Sequence, residues 1–159
     1  MPRSRDPNWA AIDAAVAKYI DRLASRGDDT LRGIEDEGLA DGWPIVGAAE
    51  GSFLHILARA IGARRILELG TAIGYSGTWW ARALPPGGEL ITVESNPETA
   101  KIAEANLART GAMDRVTILV GPAQEVVEDL EGPFDLIFVD INTEGNPAAL
   151  EPCIGRLRA

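Results

Sequence analysis

The pattern of apolar positions changes character once along this chain. Up to about residue 61 apolar side chains recur at steps of three and four. Beyond it, short apolar runs alternate with helical patterns. Trp9, Ile12, Val16, Tyr19, Ile20 and Leu23 predict an amphipathic helix from about Asn8 to Ser25, with Gly27 to end it. Phe53, Leu54, Leu57, Ala58 and Ile61 predict another over Ala48 to Ile61. Between them lies an acidic, glycine-bearing stretch, Asp28 to Gly42. Its carboxylates (Asp28, Asp29, Glu35, Asp36, Glu37, Asp41) read as a solvated surface segment, with room for a short helix, rather than as a metal site.

From Arg65 the runs Arg65–Leu69, Glu89–Glu94, Val116–Val120 and Phe134–Asp140 read as strands. Ser76–Leu84, Pro97–Thr110, Ala123–Leu130 and Pro147–Leu157 read as helices. Pro85-Pro86-Gly87-Gly88 is a turn. Pro97 suits a first helical turn, Ser95 or Asn96 a cap and Gly111 a helix end. Strands that alternate with helices predict an α/β fold. It is a Rossmann-like, three-layer arrangement with a parallel sheet of order 3-2-1-4, covered by helices on both faces. The expected organisation is one domain: a helical segment over 1–43, then the sheet-bearing unit over 44–159. Ligands of such sheets bind beyond the carboxyl ends of the strands, where the order reverses between the first and fourth. Leu136-Ile137-Phe138-Val139 is apolar on both faces, as a central strand would be. Standing last, it predicts an open edge that a second copy of the chain or another partner buries.

Composition removes some functions. At 159 residues there is room for one real core. A net charge of −9 argues against a nucleic-acid partner, whose phosphates reward lysine and arginine. No apolar run approaches the roughly 20 residues of a membrane span, and no apolar segment of an export signal follows Arg3 and Arg5. The one cysteine, Cys153, allows neither an intrachain disulfide nor a thiolate cluster. It fits a cytoplasmic protein and reads as inert.

Chemistry gathers where the first strand ends, in Glu68-Leu69-Gly70-Thr71-Ala72-Ile73-Gly74-Tyr75-Ser76. Glycines allow a sharp turn and close approach of a ligand. The helix that follows offers unpaired N–H groups to an anionic group. Glu94 closes the second strand, at the distance where an acid holds the hydroxyls of a cofactor ribose. A dinucleotide fingerprint needs G-x-G-x-x-G, but here Ala72 takes the middle glycine's place and Gly74 falls one residue early. Glu68 at the mouth of the pocket would repel a pyrophosphate and attract an ammonium. That favours S-adenosylmethionine over NAD.

The run Glu68 to Ser76 resembles the glycine loop of class I S-adenosylmethionine-dependent methyltransferases. It is most similar to the catechol and caffeoyl-CoA O-methyltransferase family, whose loop reads E-L-G-T-x-x-G-Y-S. Val46-Gly47-Ala48-Ala49-Glu50-Gly51, Thr92-Val93-Glu94, Gly121-Pro122-Ala123-Gln124 and Phe134–Asp140 resemble further segments of that family, so the likeness runs from about Pro44 to Leu157. It implies that Glu68 holds the methionine amino group, while Gly70, Thr71, Gly74 and Tyr75 shape the loop. Ser76 binds the carboxylate end, Val46 lies against the cofactor and Glu94 holds the ribose. Gly121, Ala123 and Gln124 border the adenine. Asp140 binds a divalent cation such as Mg²⁺, which activates and orients the acceptor hydroxyl.

Two departures stand against the likeness. Thr143 occupies the place of the family's general-base lysine; the chain's lysines are Lys18 and Lys101, and Glu144 is the nearest substitute. The family's fifth strand, with the Asp-Asn pair that completes its metal site, would begin just past Ala159; Asn142 is a weak further ligand. His55 reads as a packing residue, and Trp43 as loop packing. Adjacent Trp79 and Trp80 cannot share a helix face, so one is core and the other faces the cofactor side or a subunit. The expected function is transfer of a methyl group to the hydroxyl of a small, aromatic acceptor by a homodimer. A cofactor-binding module without catalysis is the second reading, and an NAD(P)-linked enzyme the third.

Overall fold

The computed structural model describes residues 13–24, 28–141 and 145–158. Helix α1 (Ala14–Ala24) is followed by α2 (Asp29–Ala40) and α3 (Ala48–Ala60). The sheet-bearing unit then runs β1 (Arg65–Leu69), α4 (Tyr75–Ala83), β2 (Glu89–Glu94), α5 (Pro97–Arg109), β3 (Val116–Val120), α6 (Ala123–Asp129), β4 (Leu136–Val139) and α7 (Gly145–Ile154). The four strands form one parallel sheet in the order β3-β2-β1-β4, as the sequence predicts. Leu67 of β1 lies beside Ile91 of β2 and Ile137 of β4.

Strand alternation sorts the core into two layers. Ile66 points into one with Leu54, Ala58, Trp80, Leu90 and Leu107. Leu67 and Leu69 point into the other with Val93, Ala123, Val127, Phe134, Ala149 and Cys153. Cys153 is buried there, and burial pushes its thiol pKa up, so the inert reading stands. Glu68 alternates onto the Ile66 face, beneath α4. That placement decides its role.

The acidic stretch is a correction. Asp29–Ala40 forms a 12-residue helix, and where the sequence predicts a wholly solvated segment one face of it packs inward. Leu31, Ile34 and Gly38, spaced i, i+3, i+7, are its buried face, and they meet Val46, Ile73 and Tyr75 in a third apolar cluster. Burying Leu31 and Ile34 stabilises by about 1.5–3 kcal/mol each. The surrounding acids mask this stripe in the sequence, yet several have partners: Asp28 caps the helix and pairs with Arg82, and Glu37 pairs with Arg109. Of the first predicted helix, Trp9, Ile12, Ser25 and Gly27 lie outside the described residues. Val16, Tyr19, Ile20 and Leu23 lie in α1 and remain substantially exposed.

The last helix also differs. It stops at Ile154, before Gly155, and residues 156–158 run alongside the start of β4. Phe134 N–H donates to the Arg156 carbonyl at 2.8 Å, and Arg158 N–H to the Phe134 carbonyl at 2.9 Å, a single parallel bridge between Phe134 and Leu157. This covers the amino end of the predicted open edge. All four residues of β4 are half-buried, as befits a strand with one neighbour along most of its length.

Asp135 pins this corner. Its Oδ2 accepts the N–H groups of Arg64 and Arg65 at 2.8 and 2.9 Å, and its Oδ1 accepts Arg158 Nε at 2.5 Å. Burial raises its pKa, but the Arg64 N–H, the Arg158 guanidinium and the Arg65 N–H outweigh that and hold it below the usual range. A carboxylate so depressed stabilises the fold above its unfolded pKa, and the benefit is lost as pH falls through the folded value. Asp135→Ala should therefore destabilise by about 2 kcal/mol at pH 7, from two orphaned N–H groups and a lost ion pair. Urea denaturation at a series of pH values checks this: the difference from the parent chain should shrink as pH drops below the ordinary carboxyl range.

Candidate active site

The loop from β1 to α4 lies at the carboxyl end of the sheet, where strand order reverses. The N–H groups of Gly70 and Thr71 both donate to the Val93 carbonyl, at 3.0 and 3.1 Å, which bends the chain over β2. Gly70 has φ +105°, and a Cβ there would lie 2.1 Å from the Asp140 carbonyl oxygen. Only glycine lets these two strand ends approach so closely. Gly74 precedes α4 with φ +81° and gives that helix no side-chain cap. Ala72 also adopts a left-handed φ, +46°, where an alanine is strained by about 1–2 kcal/mol.

Glu94 holds that strained residue. Its Oε2 accepts the Ala72 N–H at 3.0 Å, and its Oε1 accepts the Asn96 N–H at 2.9 Å. Two backbone donors thus orient a carboxylate that has about four lone-pair sites, so acceptor capacity remains for a ligand hydroxyl. Gly121 joins the same place by donating its N–H to the Glu94 carbonyl at 2.9 Å. Beyond it, at the start of α6, Ala123 is buried and Gln124 half-buried.

Glu68 departs from the expected open pocket mouth. It is fully buried beneath the loop. Oε1 accepts the indole N–H of Trp80 at 3.0 Å, and Oε2 accepts the Thr92 hydroxyl at 2.8 Å. Ser76, nearly buried, adds a further hydrogen bond to the carboxyl. Thr92 in turn lies 2.6 Å from the Thr71 hydroxyl, so the acid, the second strand and the loop form one polar network. Burial is the largest influence on Glu68. It pushes the pKa to about 7 against the pull of Ser76, Thr92 and Trp80, with the Asp140 charge adding to the rise.

The other expected site residues lie nearby in different settings. Val46 is buried in the third cluster, and so is Tyr75, whose hydroxyl turns toward α2 and donates to Glu35 Oε2 at 3.0 Å. Asp140 is exposed just past β4 and donates its N–H to the Leu69 carbonyl at 2.8 Å. Of the two tryptophans, Trp80 is core and stacks edge-on against Phe138, with ring centroids 5.5 Å apart. Trp79 is half-buried and packs so tightly on Gly51 that a Cβ there would lie 2.2 Å from its indole nitrogen. His55 Nδ1 is 3.2 Å from the Trp79 carbonyl, a packing role as expected. Trp43 packs in the loop after α2. Asn142, Thr143 and Glu144 lie outside the described residues.

Sequence reasoning missed Glu35, Thr92 and Trp80 as site-forming groups, and also Glu50. Glu50 stands in the first turn of α3, and its pKa is raised first by burial and then by the charge of Asp140. The two acids are therefore near enough for their charges to interact. Trp80 was detectable, since it stands four residues after Ser76 on one helix face. Among the described residues no three His, Cys, Asp or Glu side chains gather as a metal-holding group.

Glu68 has a measurable signature. A carboxyl whose pKa is raised by folding from 4.5 to about 7 favours the folded state most below the lower value and loses that contribution as pH rises through the upper one. The thermal stability of the parent chain relative to Glu68→Gln should fall between about pH 4.5 and pH 7 and level off above. Melting curves of the two proteins across that range test this, and a flat difference would refute the buried-acid assignment.

The O-methyltransferase family model matches residues 33–159. A catechol O-methyltransferase of Mycobacterium tuberculosis is 47% identical over 154 residues, covering 95% of this chain and 68% of the relative. One from Niastella koreensis is 41% identical over 135 residues, covering 81% and 61%. This chain therefore spans roughly two thirds of the length of those relatives. Among solved structures, the Bacillus cereus O-methyltransferase in complex with S-adenosylhomocysteine superposes with a TM-score of 0.83 at 35% identity, over 91% of this chain and 68% of that one. A Streptomyces achromogenes O-methyltransferase involved in tomaymycin synthesis, in complex with S-adenosylmethionine, gives 0.82 at 37%, over 91% and 67%. With the Glu68 loop and the 3-2-1-4 sheet already in place, these matches make the chain a member of the class I S-adenosylmethionine-dependent O-methyltransferase family, of the catechol and caffeoyl-CoA kind.

Proposed function

We propose that this chain binds S-adenosylmethionine at the β1–α4 loop and directs methyl transfer to the hydroxyl of a small aromatic acceptor held near Asp140. One observation carries the reading: the acids at the carboxyl-end side of β1 and β2 are both fixed at a glycine-cradled loop, Glu68 beneath it and Glu94 beside it. The residues present fit the cofactor. The cradle at Gly70 is too close to Asp140 for any side chain, and Glu94 offers a pre-oriented acceptor for ribose hydroxyls. When bound, S-adenosylmethionine supplies an electrophilic methyl group.

Each residue then has a task. Glu94 accepts the ribose hydroxyls. The N-terminus of α4, with Ser76, receives the carboxylate end of the methionine. Glu68 has no open face for an ammonium. It acts from beneath the loop by holding Thr92, Trp80 and Ser76 in place. Val46 covers the cofactor, and Gly121, Ala123 and Gln124 border the adenine. Asp140, exposed just past β4, accepts the hydrogen bond and then the proton of the acceptor hydroxyl and so orients its oxygen for in-line attack. Asp140 would also serve as one carboxylate ligand of a divalent ion such as Mg²⁺; among the described residues it belongs to no group of three candidate ligands, and no step here depends on a metal.

Thr143, in the usual position of the base, favours a second reading, a cofactor-binding module without turnover. Calorimetry with S-adenosylhomocysteine should show binding that Glu94→Ala weakens about 10–100-fold, the equivalent of one or two charge-assisted hydrogen bonds. A methyl-transfer assay with a catechol, with and without Mg²⁺, separates the two readings. Product formation supports the enzyme, and clear binding without product supports the module. No binding of S-adenosylhomocysteine refutes both.

We further propose that the protein is cytoplasmic and pairs as a homodimer along β4, where residues 156–158 leave Leu136–Val139 free of a second strand neighbour among the described residues. No helix among the described residues is long and apolar enough to cross a membrane. Sedimentation velocity should give a dimer well above micromolar concentration, and a sharp monomer there would count against the pairing.

A further inference from the structure

Glu35 occupies an unusual position for an acid. It follows buried Ile34 on the inward side of α2, and its carboxyl oxygens reach two different helices. Oε1 accepts the backbone N–H of Ala48 at 3.1 Å, and Oε2 accepts the hydroxyl of Tyr75 at 3.0 Å. Ala48 opens α3, and Tyr75 opens α4. The N-cap residues of both helices are glycines, Gly47 and Gly74, and neither provides a side-chain cap. A cap ordinarily comes from the residue just before the helix. Here the acceptor for α3 comes from 13 residues upstream, on another helix. A carboxylate at that end is also favoured by the helix dipole.

The two segments so joined form the walls of the cofactor site in the reading above. Val46 and Gly47 lead into α3, and the glycine loop leads into α4. We propose that Glu35 is a positioning residue for that site: by gripping the first residue of each helix, it sets the distance between the Val46–Gly47 segment and the glycine loop. The other anchors of α2 do not share this function. Glu37 grips Arg109 on α5 and contacts neither helix start. This proposal rests on the cofactor reading for its functional consequence, while the mechanical link stands on the two hydrogen bonds alone.

The test uses the full chain with Glu35→Ala, Glu35→Gln and Glu37→Gln. It titrates S-adenosylhomocysteine by calorimetry and follows backbone amide exchange without ligand. Glu35→Ala should weaken binding about tenfold, as loss of one cap-strength interaction implies, and should speed exchange at Ala48 and in the glycine loop. Glu35→Gln keeps a carbonyl for the Ala48 N–H and an amide N–H for the Tyr75 oxygen, so it should recover most of the affinity. Glu37→Gln should bind as the parent does. Equal loss in Glu35→Ala and Glu37→Gln would reduce Glu35 to a general strap and overturn the proposal, and parental binding by Glu35→Ala would do the same. If the parent itself binds no S-adenosylhomocysteine, the cofactor reading falls. Exchange at Ala48 then decides the mechanical link separately: acceleration in Glu35→Ala sustains it, and no change refutes it.

Discussion

A carboxylate shut away from water beneath the first turn of the glycine loop is the constraint on which the site depends. Glu68 is fully buried, and a buried charge is tolerated only with several donors around it. The Trp80 indole, the Thr92 hydroxyl and Ser76 are those donors, and each belongs to a different part of the fold from the acid. Trp80 and Ser76 therefore cannot rotate on α4, nor Thr92 slip on β2, without leaving the acid unsatisfied. Thr71 extends the same constraint into the loop through Thr92. The loop above is shaped from below before any ligand arrives, a form of preorganisation that hydrogen bonds in a low-dielectric setting supply well.

Around this point the fold arranges polar groups in two tiers. The lower tier is dry and rigid. The upper tier, with Glu94, Gly121 and Asp140, meets solvent and carries the groups left for a ligand. Helix α2 closes the front. It packs Leu31 and Ile34 against Ile73 and Tyr75 and thereby joins the N-terminal helices to the chemistry of the sheet. The split into a helical segment and a sheet-bearing unit describes the chain order, while physically the first segment forms one wall of the second.

Much of this was legible in the residues, for reasons that can be named. The first three strands, β1 to β3, carry β-branched and apolar runs bounded by turn residues, and their predicted limits match the structure residue for residue, while β4 is shorter than predicted at both ends. The loop was visible because glycines and acids at strand ends are unusual enough to signal chemistry. Glu68 was found but assigned the wrong surroundings: position alone suggested the mouth, whereas strand alternation turns its side chain onto the Ile66 face beneath Trp80. Helix α2 was underestimated because its apolar stripe is thin, two large residues and one glycine amid carboxylates. Its partners, Tyr75 and Arg109, are 40 and 72 residues away in sequence. The turn of residues 156–158 toward Phe134 was hidden for a similar reason, since it depends on a contact that no local pattern announces.

Ala72 couples the shape of the loop to the state of an acid. A glycine could rest in that backbone conformation unaided, but an alanine is sprung and must be latched, and the latch is Glu94 Oε2. The same oxygens are the ones a sugar would engage. Whatever approaches Glu94 therefore acts on a catch under tension, and the curvature of the turn and the occupancy of the acid become a single mechanical variable.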